Sequence, residues 1–145
     1  MSQKILITLF WVAGLLGLAD ALYLSITVIL GVAPTCGVLH GCETVMRSSY
    51  SHYILGIHDA YLAVAYFVGT AIIGGYVATS RLWQKIALIY TTFGLVVACW
   101  SVFVMKFLIG AYCSYCLGID AMLLSLFILS LSVLRSGDRG TTPPL

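Results

Sequence analysis

Four residues, Cys113-Ser114-Tyr115-Cys116, hold the most reactive pattern in the sequence. The Cys-x-x-Cys spacing lets two thiols close into a small disulfide ring and open again. One thiol of such a pair is usually favoured as the thiolate that attacks or leaves. A second pair, Cys36 and Cys42, lies far upstream. Thiol–disulfide exchange can link the two, so that one pair meets a soluble partner and the other a lipid-soluble acceptor. The competing readings are two structural staples, or a zinc site using Cys36, His40 and Cys42 with His52 or Cys113. Cys-x-x-x-His-x-Cys is not a usual zinc knuckle, and no metal is expected. Cys99 stands alone in an apolar run and reads as a small hydrophobic packing residue.

Acids accompany the thiols. Asp120 follows Cys116 by four residues, one helical turn along the same face. Asp59 opens another apolar run. Ionisable groups inside spans face the bundle interior and often mark a site. Burial favours the protonated carboxyl, so Asp59 and Asp120 are expected to grip the carbonyls of a bound ligand by hydrogen bonds. The bland reading puts both at the wet interface. Asp20 reads as a structural polar group. Tyr112 and Tyr115 flank the thiols and, with Tyr50, are candidates to line a ligand pocket. With Tyr50, Tyr53 and Tyr61 they also fit an interfacial aromatic belt.

These residues need elements to position them, and composition says which. The chain has 145 residues, of which 61% are apolar and only 8% charged, and its mean hydropathy is +1.07. Soluble domains carry about 25% charged residues. An all-α integral membrane protein is expected, a single membrane domain over residues 1–145. Spans are predicted near residues 5–30, 57–78, 86–105 and 113–134. The first is too long for the apolar core of a secretory signal and reads as a retained helix. Residues 31–56 form a loop, 79–85 a polar turn, 106–112 a tight turn, and 136–145 a disordered tail. Four spans with short connections predict a four-transmembrane-helix bundle. Val45 and Met46 follow Cys42 at helical spacing, so a short helix there would make the loop an apolar lid. Nothing in the composition points to nucleic acid.

Basic residues set the orientation. Lys4, Arg81, Lys85, Arg135 and Arg139 fall on one side of these spans, and Arg47 and Lys106 on the other. The positive-inside rule then puts both termini in the cytoplasm and both cysteine pairs on the outer, oxidising face.

Taken in order, Cys36-x5-Cys42, Val45, Ser48, Tyr50, Gly56-Ile57 and Cys113-x-x-Cys116 resemble the vitamin K epoxide reductase family. The resemblance covers roughly residues 15–134. It implies a four-helix membrane bundle around a quinone of menaquinone, ubiquinone or vitamin K type. It further implies that Cys116 is the thiol nearest the quinone, with Cys113 its partner. Cys42 would reach Cys113 through a transient disulfide, and Cys36 would exchange with a thioredoxin-like protein. Ser48 matches a serine beside the active site, while Asp59 and Asp120 fall where the family's ligand-binding residues lie. The expected activity is that of a thiol–quinone oxidoreductase generating disulfides in exported proteins, in a membrane that is expected to be prokaryotic. Reduction of the vitamin K epoxide is an alternative, and a non-enzymatic scaffold with stapled or zinc-bound cysteines is a rival of another class. The sequence departs from the family at Gly56-Ile57-His58, where proline commonly follows Gly-Ile, and in having Asp at positions 59 and 120. No fused thioredoxin-like domain follows residue 134, so the partner is expected to be a separate protein.

Overall fold

A helix that is apolar around its whole circumference has no face to offer water, and four such helices account for most of this chain. In the computed structural model they are α1 (Gln3–Leu30), α3 (Asp59–Tyr76), α4 (Arg81–Phe103) and α5 (Ser114–Arg139), with a short α2 (Cys42–Arg47) in the first loop. The structure describes residues 2–32, 34–36, 41–51 and 56–139. All four long helices are long and apolar enough to cross a membrane. The all-α fold and its loop helix are therefore as expected. His40, His52, Tyr53 and the tail beyond residue 139 lie outside the described residues.

Several boundaries differ from expectation. The polar turn expected over 79–85 is shorter and earlier: the chain turns at 77–80 and helix resumes at Arg81, with Ser80 as N-cap. Arg81 reaches across to donate from Nη1 to the Leu134 carbonyl at 2.9 Å, so a charged first turn is held against the end of α5. Nor is 106–112 a tight turn throughout. α4 widens into a π-helical stretch, Val104–Ile109, that buries Val104 and Met105. Such widenings recur beside functional sites. The chain reverses at Gly110, whose φ of 70° suits glycine. The tail read from residue 136 begins as helix, since α5 runs to Arg139.

Packing is uneven around the bundle. α5 lies along both α1 and α4, and α1 lies along α3, but α3 meets α4 far less closely. The tight side is built by small residues. Gly17 of α1 faces the fully buried ring of Phe67, where a Cβ would overlap the ring. Phe10, Leu24, Phe67, Ile119, Leu123 and Leu126 form the main core. On the loose side, Tyr66 and Tyr90 stack with centroids 4.6 Å apart. Each hydroxyl donates to the other residue's backbone carbonyl, at 3.2 and 2.9 Å. This cross-brace ties α3 to α4 partway along the bundle.

Candidate active site

The space left between α3 and α4 is a cavity of about 550 Å³. Its walls are mostly apolar, from Leu24, Ala63, Phe67, Phe93, Val97, Trp100 and Leu123, and Val45 and Met46 of α2 lie over it. Its polar groups are few: Cys116, Asp120, Asp59, His58, Ser51 and Ser101, with the tyrosine brace. A mostly apolar pocket of a few hundred Å³ with a small set of converging polar groups is the usual form of a small-molecule site.

α5 delivers the reactive side chains. Cys113 immediately precedes the helix and Cys116 lies in its first turn. The Cys116 amide donates to Cys113 Sγ at 3.3 Å, the place an N-cap oxygen would take. A backbone N–H on sulfur at a helix start favours the thiolate over the thiol. Both thiols are free, and Cys113 is fully buried. One turn on, Asp120 is also buried. The Ser101 hydroxyl hydrogen-bonds its carboxyl, while Oδ2 has no partner among the described residues. A buried polar atom left unpaired costs about 1–3 kcal/mol, a cost repaid only if something in the cavity pairs with it. Cys116 and Asp120 thus share the cavity, as the four-residue spacing required.

α2 brings the second pair. Cys36 and Cys42 are joined as a disulfide, with Cα atoms 6.0 Å apart. Cys42 is buried in a small cluster with Val45, Met105 and Cys113, against which Cys36 and Cys116 also pack. Cys113 is therefore next to the loop disulfide, and Cys116 touches both that cluster and the cavity. Two close contacts hold the loop there. Gly41 lies so near the Tyr112 backbone that a Cβ would come within 2.5 Å of its carbonyl oxygen. The Tyr115 hydroxyl donates to the Thr35 carbonyl at 3.3 Å, and its ring packs on Tyr23.

Not every candidate meets at the cavity. Asp59 and Asp120 both line it, while Tyr112 and Tyr115 do not; they hold the loop instead. Tyr50 lines only a slight adjoining recess with Asp59, Ser101 and Cys116. Ser48 Oγ is buried with no partner among the described residues and does not line the cavity; the serine at its wall is Ser51. Ser51 Oγ donates to the Met46 carbonyl at 3.0 Å. Cys99 is on the outside of the bundle rather than packed within it. No cluster of three or more metal-binding side chains occurs among the described residues.

In the sequence His58 stands out as a departure from the family's Gly-Ile-Pro, with no role at the site. It is buried at the cavity wall, with Nδ1 2.8 Å from Asp59 Oδ1 and Nε2 3.4 Å from the Met46 carbonyl. Nδ1 also lies 3.3 Å from the Ala60 amide, capping α3. The hydrogen bond to Asp59 pushes its pKa up, against the lowering effect of burial. Its other sequence signal is its place beside an acid at the head of a span. Tyr66, Tyr90 and Ser101 were missed as well, since hydroxyls in an apolar run carry no pattern of their own.

A four-span membrane bundle with one cysteine pair at a cavity and another packed behind it defines a membrane thiol oxidoreductase. The model of the Vitamin K epoxide reductase family matches residues 8–131, and the chain belongs to that family. Membership implies a multi-pass, quinone-reducing enzyme. A comparison with curated proteins gives no match. The cavity suits a quinone: apolar walls for the ring, and at Asp120 a buried oxygen with no partner among the described residues.

Proposed function

We propose that the chain passes electrons from a thioredoxin-like protein on the outer face to a lipid quinone, and so generates disulfides in exported proteins. The carrying observation is that Cys116 shares a cavity with Asp59 and Asp120 while Cys113 is buried beside Cys42. The partner's dithiol reduces Cys36–Cys42 by exchange through Cys36. Cys42 then attacks the Cys113–Cys116 disulfide at Cys113, and the mixed disulfide resolves to leave both thiols of the Cys-x-x-Cys reduced. A quinone bound in the cavity supplies the two-electron acceptor. Closing Cys113–Cys116 releases the two electrons and two protons that quinol formation consumes. Asp59 and Asp120 orient and polarise the carbonyls, since donors aimed where charge develops lower the barrier. Val45 and Met46 keep water out. The basic residues support an orientation with both termini in the cytoplasm and the cysteine pairs outside.

The test is anaerobic. Reduced protein is mixed with menadione or a short-chain ubiquinone, quinol is followed by absorbance, and free thiols are alkylated for mass spectrometry. Stoichiometric quinol is expected, with a new disulfide at Cys113–Cys116 or Cys42–Cys113. Cys116→Ala and Cys113→Ala should abolish it and Cys99→Ala should not. Normal turnover in either motif variant would sink the scheme.

A further inference from the structure

Making a quinol takes two protons at a site walled by apolar side chains, and the two acids there are not equivalent. Asp120 has the Ser101 hydroxyl on its carboxyl. Asp59 has an imidazole, His58, at 2.8 Å. We propose that His58 and Asp59 form the proton supply of this cavity, His58 recharging Asp59 and Asp59 donating to a ligand oxygen, while Asp120 keeps its place as a hydrogen-bonding group. The inference rests on the quinone-reducing reading above.

The contacts of His58 fit a group that gains and loses a proton in place. Protonated, it donates from Nδ1 to Asp59 Oδ1 and from Nε2 to the Met46 carbonyl. Neutral, with its proton on Nε2, it keeps the Met46 contact, and Nδ1 becomes the acceptor for the Ala60 amide at 3.3 Å. Each state finds partners without the ring turning, so little must rearrange when the proton leaves. The residues just before it, Gly56 and Ile57, are exposed, so water at that end can return the proton.

Among the described residues the other titratable groups around it are these. Tyr61 of its own helix meets the ring edge-on at 6.3 Å. Cys116 and Asp120 of α5 line the same cavity. Glu43 and Arg47 of α2 pair with each other on the exposed side at 3.1 Å. The protons balance: of the two the thiols give up as the disulfide closes, one enters the quinol and one goes to the medium, while the quinol's second proton comes from His58 through Asp59 and is restored from the medium. His58 acts through Asp59 and is a positioning and relay residue.

The experiment compares wild type with His58→Asn, reduced with dithiothreitol and given a short-chain ubiquinone across a pH series. Asparagine keeps an acceptor for the Ala60 amide, as N-caps do, but does not titrate and so cannot pass a proton on. Wild-type turnover should fall as pH rises through the imidazole's pKa. His58→Asn should lose about 100-fold in kcat near neutral pH, at the lower end for general acid catalysis. It should also lose that limb of the profile, keep its KM, and regain part of its rate with added imidazole. A variant with unchanged rate, or one slowed equally at every pH and deaf to imidazole, overturns the dyad. Should His58→Asn not fold, the wild-type profile decides: turnover with no such limb overturns it equally. Wild-type protein that reduces no quinone at all would instead bring down the reading beneath it.

Discussion

At the scale of single residues, the carboxyl of Asp120 separates function from packing. An ionisable side chain within a span is expensive and normally faces the bundle interior. The Ser101 hydroxyl answers one part of the group, and Oδ2 has no partner among the described residues. If the acid were there for stability, replacing it would weaken the fold. If it is there for the ligand, Asp120→Leu should raise the melting temperature or leave it level, and lower kcat/KM for a short-chain ubiquinone about 100-fold. A less stable protein with normal kcat/KM would refute the role. His58 makes a prediction of opposite kind. Its hydrogen bond to Asp59 raises its folded pKa above the ordinary 6.5. That contribution to stability is fully present below the unfolded value and is lost as pH rises through the folded one. Thermal unfolding followed against pH should show this loss, and His58→Asn should flatten it.

At the scale of elements, legibility tracks period and hydropathy. The four spans and the loop helix could be read because lipid demands long apolar runs, and because Val45 and Met46 fall at helical spacing after Cys42. The start of α4 could not, because Arg81 and Lys85 look like solvent-facing loop until Arg81 is seen on the Leu134 carbonyl. The π-helical Val104–Ile109 has no signature of its own, yet it buries Met105 beside Cys113. The cysteine pairs and both acids were visible from spacing. His58 was not, since one histidine beside a helix start has no period. The same scale shows how the loop pair stays near Cys113. Gly41 passes the Tyr112 backbone too closely for any Cβ, with its amide nitrogen 2.8 Å from that position. Backbone cannot give way as a flexible side chain can. Gly41→Ala should push α2 off α5 and slow electron transfer from a dithiol protein at least several-fold. Quinone reduction started from fully reduced Cys113 and Cys116 should change little. Stopped-flow measurement of the two half-reactions would separate them, and equal slowing of both would show that the contact does not serve the exchange.

The whole molecule divides the cysteines by environment, and that division can be tested in an intact membrane. Cys36, Cys42, Cys113 and Cys116 gather at one end of the bundle, where α2 covers the head of α5. At the other end Arg81 meets the end of α5. Cys99 stands within α4 on the outer surface of a helix that lipid must surround. A charged maleimide that cannot cross membranes should distinguish all three classes. Applied from outside after mild reduction, it should label Cys36 first, since that thiol is part-exposed, and Cys42 and Cys113 more slowly, since both are buried. Cys99 should stay unlabelled until detergent is added, because the reagent does not enter hydrocarbon. Inside-out vesicles should protect the four clustered thiols. Labelling of those four from the cytoplasmic side alone would invert the bundle, and with it the source of electrons. The thiols would then face a reducing compartment, where disulfides do not persist, and a role in oxidising exported proteins would be lost even if the quinone chemistry stood.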